Sequence, residues 1–157
     1  MRRMRAVVVV VALALALTAC GDGTTGSSVP GERVPFVIRT DAGEVTLSVE
    51  TADSEEERAR GLMGRPEVPD DGGMRFLFDG PTRGSFWMRD TLIPLSIAFW
   101  GADGRIVAIL DMPLCREEDC PEYSPGVDFV GALEVRRGLF AERGVAVGDL
   151  VTVGARG

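Results

Sequence analysis

The chain has 157 residues with no histidine, no lysine and three cysteines, and its formal net charge is −7. The missing imidazole excludes Ser-His-Asp and Cys-His catalysis as well as the usual zinc and blue-copper sites. Without residues 1–19 the chain holds 14 basic and 24 acidic residues, a balance that argues against nucleic acid as a partner.

The chain opens with Arg2, Arg3 and Arg5, then an apolar run over residues 6–17, then small residues leading into Cys20. That order of parts reads as a bacterial export signal. Leu17-Thr18-Ala19-Cys20 resembles a lipobox, whose cysteine is diacylated and becomes the first residue of the mature protein. The apolar run has 12 residues, short of the ~20 that span a bilayer as a helix. Residues 1–19 are therefore expected to be a lipoprotein signal peptide, and Cys20 the site of lipidation. Residues 20–33, rich in Gly, Ser and Thr, are expected to form a flexible tether. Residues 34–157 are expected to form one globular domain.

Within that domain, residues 34–40 and 45–49 predict a hairpin around Asp41-Ala42-Gly43-Glu44. Ser54 and Glu57 have capping-box spacing, so a helix should start there, run through Met63 and stop near Gly64, before Pro66. Further strands are expected at residues 74–78, 84–88, 95–100 and 105–110, the last two paired around Gly101-Ala102-Asp103-Gly104. A strand near 130–135, a short helix near 139–143 and a strand at 150–153 complete the set. Short strands with one or two small helices predict a mainly β (α+β) fold: a compact, partly closed, antiparallel, barrel-like sheet.

Cysteine parity agrees with export. If Cys20 carries lipid, Cys115 and Cys120 remain as an even pair around the polar loop Arg116-Glu117-Glu118-Asp119. A local disulfide is then expected outside the cytoplasm, stabilising by only ~2 kcal/mol because the loop is short.

The segments Glu56-Glu57-Arg58-Ala59-Arg60-Gly61-Leu62-Met63-Gly64-Arg65, Gly73-Met74-Arg75-Phe76-Leu77-Phe78 and Phe86-Trp87-Met88-Arg89-Asp90-Thr91 follow one another in order. So do Ile93-Pro94-Leu95-Ser96-Ile97-Ala98-Phe99, Ala132-Leu133-Glu134-Val135 and Gly144-Val145-Ala146-Val147-Gly148-Asp149-Leu150-Val151. Together they resemble the domain of unknown function 192 family (the UPF0127-type proteins) over residues 36–153. The resemblance implies a small β-rich domain, often exported, whose biochemical role the family leaves open. Two positions depart from its pattern: Arg89-Asp90 stands where Lys-Asn is common, and Ser96 stands where Asp is usual after Pro-Leu.

Three classes of function remain. A binding or accessory module would use Trp87, Arg89, Asp90 and Thr91. In a strand Phe86 and Met88 share one face and Trp87 and Arg89 the other, so an aromatic surface and a polar pair could meet a ligand together. A carboxylate hydrolase acting on envelope polysaccharide would draw on Asp90, Asp111 and Glu134, each beside an apolar segment. Copper(I) handling would use the thioethers of Met63, Met74, Met88 and Met112, although no M-x-M or M-x-x-M spacing is present. Of these the binding module is favoured. No cofactor is expected. The expected partners are the membrane, through lipid on Cys20, and an unidentified small molecule or envelope protein. The location expected is the extracytoplasmic face of a cell membrane.

Overall fold

The computed structural model describes residues 31–152; the expected signal peptide, Cys20 and most of the expected tether lie outside the described residues. The alternating residues after the tether form the expected hairpin, β1 (Arg33–Thr40) with β2 (Gly43–Ala52), in register from Arg33↔Glu50 to Thr40↔Gly43. Ser54 then caps α1 (Glu55–Arg60). Its hydroxyl accepts from the Glu57 amide at 3.2 Å, and the Glu57 carboxylate accepts from the Ser54 amide at 3.1 Å. This is the reciprocal capping box that the spacing predicts.

The helix ends at Arg60, earlier than the sequence suggests. Gly61 leaves the helix at φ 47, its amide still bonded to the Glu57 carbonyl at 2.8 Å. A Cβ at Gly61 would lie 3.3 Å from the Phe76 ring, so glycine permits both the turn and the close approach. The turn delivers Leu62 into the core.

The remaining elements are β3 (Gly72–Thr82), β4 (Phe86–Trp87), β5 (Leu95–Trp100), β6 (Ile106–Met112), β7 (Glu122–Tyr123), β8 (Phe129–Arg136), α2 (Leu139–Glu142) and β9 (Leu150–Thr152). Seven strands form one sheet in the order β6-β5-β8-β3-β2-β1-β9, while β4 and β7 pair apart from it. The sheet is mixed, which corrects the antiparallel expectation: β2 and β3 run parallel, from Ser48↔Gly72 to Ala52↔Phe76. The segment between them, carrying α1 and a turn-rich stretch, supplies the dozen or more residues that a parallel connection needs.

A closed barrel is not formed among the described residues. The edge strands β6 and β9 meet only at the bridge Arg105↔Leu150, with the Ile106 amide donating to the Asp149 carbonyl at 2.9 Å. β9 has three residues, too few to build a ladder along β6.

Both faces of the sheet are covered, so its central strands are nearly continuously apolar. One face carries Phe36, Leu47, Trp100, Leu133 and Val135, closed by Leu139 and Phe140 of α2. The other carries Met74, Phe76, Ile97, Phe99, Phe129 and Ala132, with Leu62 and Met88 packed over them. A half-buried ion pair fastens the segment after α1 to β2. Arg65 donates twice to the Glu50 carboxylate, at 2.6 and 2.7 Å, and Arg33 approaches it at 3.8 Å. Those hydrogen bonds, aided by the charges of Arg65 and Arg33, hold the Glu50 carboxyl below the usual carboxylate range against the opposing effect of burial.

Candidate functional site

Strand β8 lies between β5 and β3, and Glu134 stands in it beside Met74 and Ile97 of the neighbouring strands. Alternation along β8 sends Leu133 and Val135 into one core layer and Glu134 toward the other, on the side of Ala132. Glu134 is only 5% exposed. Its carboxyl has no hydrogen-bond or ion-pair partner among the described residues, and its oxygens are not completely sealed from solvent. Burial pushes its pKa up to about 8, so near neutral pH it is predominantly the uncharged acid.

That side chain borders a cavity of about 310 Å³ between α1, β3 and the β4–β7 ribbon. Phe76 and Phe78 of β3, and Phe86 and Trp87 of β4, form its aromatic wall. The ribbon exists because Phe86 pairs with Tyr123 and Trp87 with Glu122. Strand alternation turns Phe86 inward, edge-on to Phe76 at 5.0 Å and to Phe99 at 5.6 Å, and Met88, just past the strand, is buried as well. Trp87 is turned outward, 47% exposed, with the Arg89 guanidinium 5.1 Å above its ring.

From α1, Glu55, Arg58 and Arg60 reach the same cavity, and Glu122 closes it from β7. Arg58 is held in place: it donates to the Asp53 carbonyl and, at 3.0 Å, to the Leu77 carbonyl, and lies over the Phe78 ring. Glu122 accepts from the Ser85 hydroxyl at 2.8 Å.

Of the residues singled out from the sequence, Trp87, Thr91, Glu134 and Met63 border this cavity. Arg89 and Asp90 border a second hollow of about 320 Å³ beside the cysteine loop, and Thr91 touches both. Arg89 also donates to the Glu118 carbonyl at 3.4 Å. Asp90 adopts φ 54, and its carbonyl accepts from the Gly64 amide at 2.8 Å, the arrangement of a turn residue. Asp111 lies elsewhere, on β6, accepting from the Ser96 hydroxyl at 2.6 Å and pairing with Arg137 at 3.4 Å. Asp90, Asp111 and Glu134 therefore share no common cavity.

Met74, Met88 and Met112 are buried in the core layer, where they fill space. No group of three or more His, Cys, Asp or Glu that could hold a metal occurs among the described residues. The Cys115 and Cys120 sulfurs lie at disulfide distance, 2.07 Å, with their Cα atoms 5.7 Å apart. Sequence reading missed Arg58, Glu122 and the phenylalanine wall. Phe76 and Phe78 were visible as a period-two pair, whereas the two-residue strand β7 has no periodic signal to find.

The family profile DUF192, described as Uncharacterized ACR, COG1430, matches residues 37–153. The chain belongs to the DUF192 family. Among solved structures, the DUF192 domain resembles a protein of unknown function from Novosphingobium aromaticivorans DSM 12444. That match has a TM-score of 0.73 and 30% identity, covering 88% of this chain and 99% of the other. It also resembles a chain from Sinorhizobium meliloti 1021 described as a candidate transcription regulator. Here the TM-score is 0.69 and the identity 28%, covering 76% of this chain and 92% of that one. No curated protein matches the chain.

Proposed function

We propose that the protein is an exported, membrane-tethered lipoprotein whose domain, residues 34–157, binds a small ligand in the aromatic cavity beside Glu134. One observation carries the binding half of this reading: a carboxyl 5% exposed, without a partner among the described residues, at the wall of an apolar cavity. Removing such a group from water without compensation costs several kcal/mol, and a packed sheet has no structural use for it. A few polar groups set among aromatic walls is the usual composition of a ligand pocket. Trp87 and Thr91 frame the mouth, and Arg89 fixes the Trp87 ring from outside.

The hydrolase reading requires two carboxylates across one bond, and neither Asp90 nor Asp111 borders the Glu134 cavity. The copper reading requires open, converging sulfurs, whereas Met74, Met88 and Met112 are core residues. Regulation of transcription is not carried over from the Sinorhizobium relative, because 24 acidic against 17 basic residues disfavours nucleic acid.

The purified chain is expected to carry a small molecule into native mass spectrometry. The double variant Trp87→Ala, Arg89→Ala should lose it while keeping its melting temperature within a few degrees. A chain that arrives empty, and whose melting temperature no envelope extract raises, removes the binding reading.

The lipoprotein half is supported by the order of Arg2, Arg3 and Arg5, the apolar run and Leu17-Thr18-Ala19-Cys20. It is also supported by the pairing of the other two cysteines. Two acyl chains give the stable anchoring that one does not. Cells fed labelled palmitate should incorporate it into the wild-type chain and not into Cys20→Ser; equal labelling of both would reject Cys20 as the lipid site.

A further inference from the structure

We infer that the cavity beside Glu134 takes an organic cation, with an ammonium head against the Glu134 carboxyl and an apolar body among the rings of Phe76, Phe78, Phe86 and Trp87. This rests on the cavity being a binding site and adds the class of ligand.

Three observations point to positive charge. Glu55, Glu122 and Glu134 all border the cavity, and Glu134 has no partner there among the described residues. The arginines at the same site are already engaged: Arg58 by two backbone carbonyls and the Phe78 face, Arg60 by Glu56 at 2.7 Å. The wall is aromatic, and ring faces carry the negative side of a quadrupole that attracts cations. An anionic ligand would meet Glu55 and Glu122, a Glu134 whose ionisation it opposes, and those same faces. A neutral one would leave the Glu134 proton in place and release none on binding.

A cavity of about 310 Å³ holds on the order of ten non-hydrogen atoms, taking roughly 30 Å³ for each. A phenylalkylammonium ion is of that size.

Binding of such an ion changes the ionisation of the site. Buried Glu134 keeps its proton near neutral pH. When the ammonium arrives, the carboxyl O–H bond breaks, the proton passes to water, and the carboxylate accepts a hydrogen bond from the ammonium. The charged groups facing this cavity are Glu55, Arg58 and Arg60 from α1 and Glu122 from β7, while the sheet neighbours Met74 and Ile97 are uncharged. One proton is therefore released for each cation bound.

The test is titration calorimetry of the full chain near pH 6.5, in two buffers with different heats of ionisation. Three probes share one skeleton: 2-phenylethylammonium, 2-phenylethanol and 3-phenylpropanoate. The ammonium is expected to bind at least about tenfold more tightly than either of the others, with close to one proton released. Glu134→Gln should weaken the ammonium about tenfold and abolish the proton release, with the alcohol changed less than about threefold. If the alcohol or the carboxylate binds as tightly as the ammonium and Glu134→Gln changes nothing, the cation assignment fails and a ligand site remains. If none of the three probes binds, the cation assignment and the cavity as a binding site fail together.

Discussion

Replacing Glu134 by Gln is expected to stabilise the domain at alkaline pH and to leave it almost unchanged in acid. The unfolded chain releases this proton near 4.5, whereas the folded protein holds it to about 8. Between those values the native state binds more protons than the unfolded state, so this group makes stability fall as pH rises. Its contribution is fully present below about 4.5 and is lost as pH passes through about 8. At about 1.4 kcal/mol per unit, the loss accumulated by pH 8 reaches roughly 5 kcal/mol at most. Glutamine keeps the shape and carries no charge, so it removes that slope. Its amide meets the same unpartnered surroundings as the protonated carboxyl, so in acid the two proteins differ little. Denaturant titrations at about pH 5, 7 and 8 should give midpoints for Glu134→Gln that match wild type at the lowest pH and exceed it at the highest. Parallel profiles for the two proteins would mean that Glu134 is ionised or paired in the native state.

Glu50 acts with the opposite sign. Its carboxyl is held low by Arg65, so its contribution is present above the ordinary carboxylate pKa and lost as pH falls through the lowered one. The two glutamates together place the most favourable range in mild acid. The domain is thus stabilised by one buried acid with partners and strained by one without, and the second borders the cavity. Stability given up at one position in this way is a recurrent property of sites kept for binding.

Gly131→Ala should be among the most damaging conservative changes in the sheet. Gly131 lies opposite Trp100 in the β5–β8 register. A Cβ there would come within 2.1 Å of Trp100 Cζ2. The indole is 1% exposed and rests against Phe36 at a centroid distance of 5.5 Å, so it has no free space to enter. Overpacking of this kind costs about 1–3 kcal/mol and sometimes more, and here both the ring and the strand backbone would have to move. A fall in melting temperature of roughly 10 °C is expected, on the scale of a few degrees per kcal/mol for a domain of this size. Pairing the change with Trp100→Leu should recover part of the loss, because the collision is removed even as a cavity is made. Full additivity of the two changes would show that the ring does not press on Gly131.

The sequence by itself carried whatever depends on near neighbours. The β1–β2 and β5–β6 hairpins follow from period-two patterns around short turns. The start of α1 follows from Ser54 and Glu57. The inward Phe86 and the outward Trp87 follow from strand alternation, whereas Met88 and Arg89 lie past the end of β4. The pairing of Cys115 with Cys120 follows from parity and proximity.

Tertiary structure decided the rest. The parallel seam between β2 and β3 joins segments separated by a helix and a loop, and no local pattern specifies which strands become neighbours. Strand β7 is two residues in a polar stretch, stable only because β4 is there to pair with it. Among Asp90, Asp111 and Glu134, sequence context ranked none above the others, since each sits beside apolar residues. Burial separated them, because of the three segments that carry these acids only β8 is covered by strands on both edges and by packed side chains on both faces. A glutamate in such a strand cannot turn away from the core without sending its apolar neighbours out, since side chains alternate strictly between the faces. Glu134 is held inside by Leu133 and Val135, and the cavity beside it is assembled from α1, β3, β4 and β7, elements that meet only when the chain has folded.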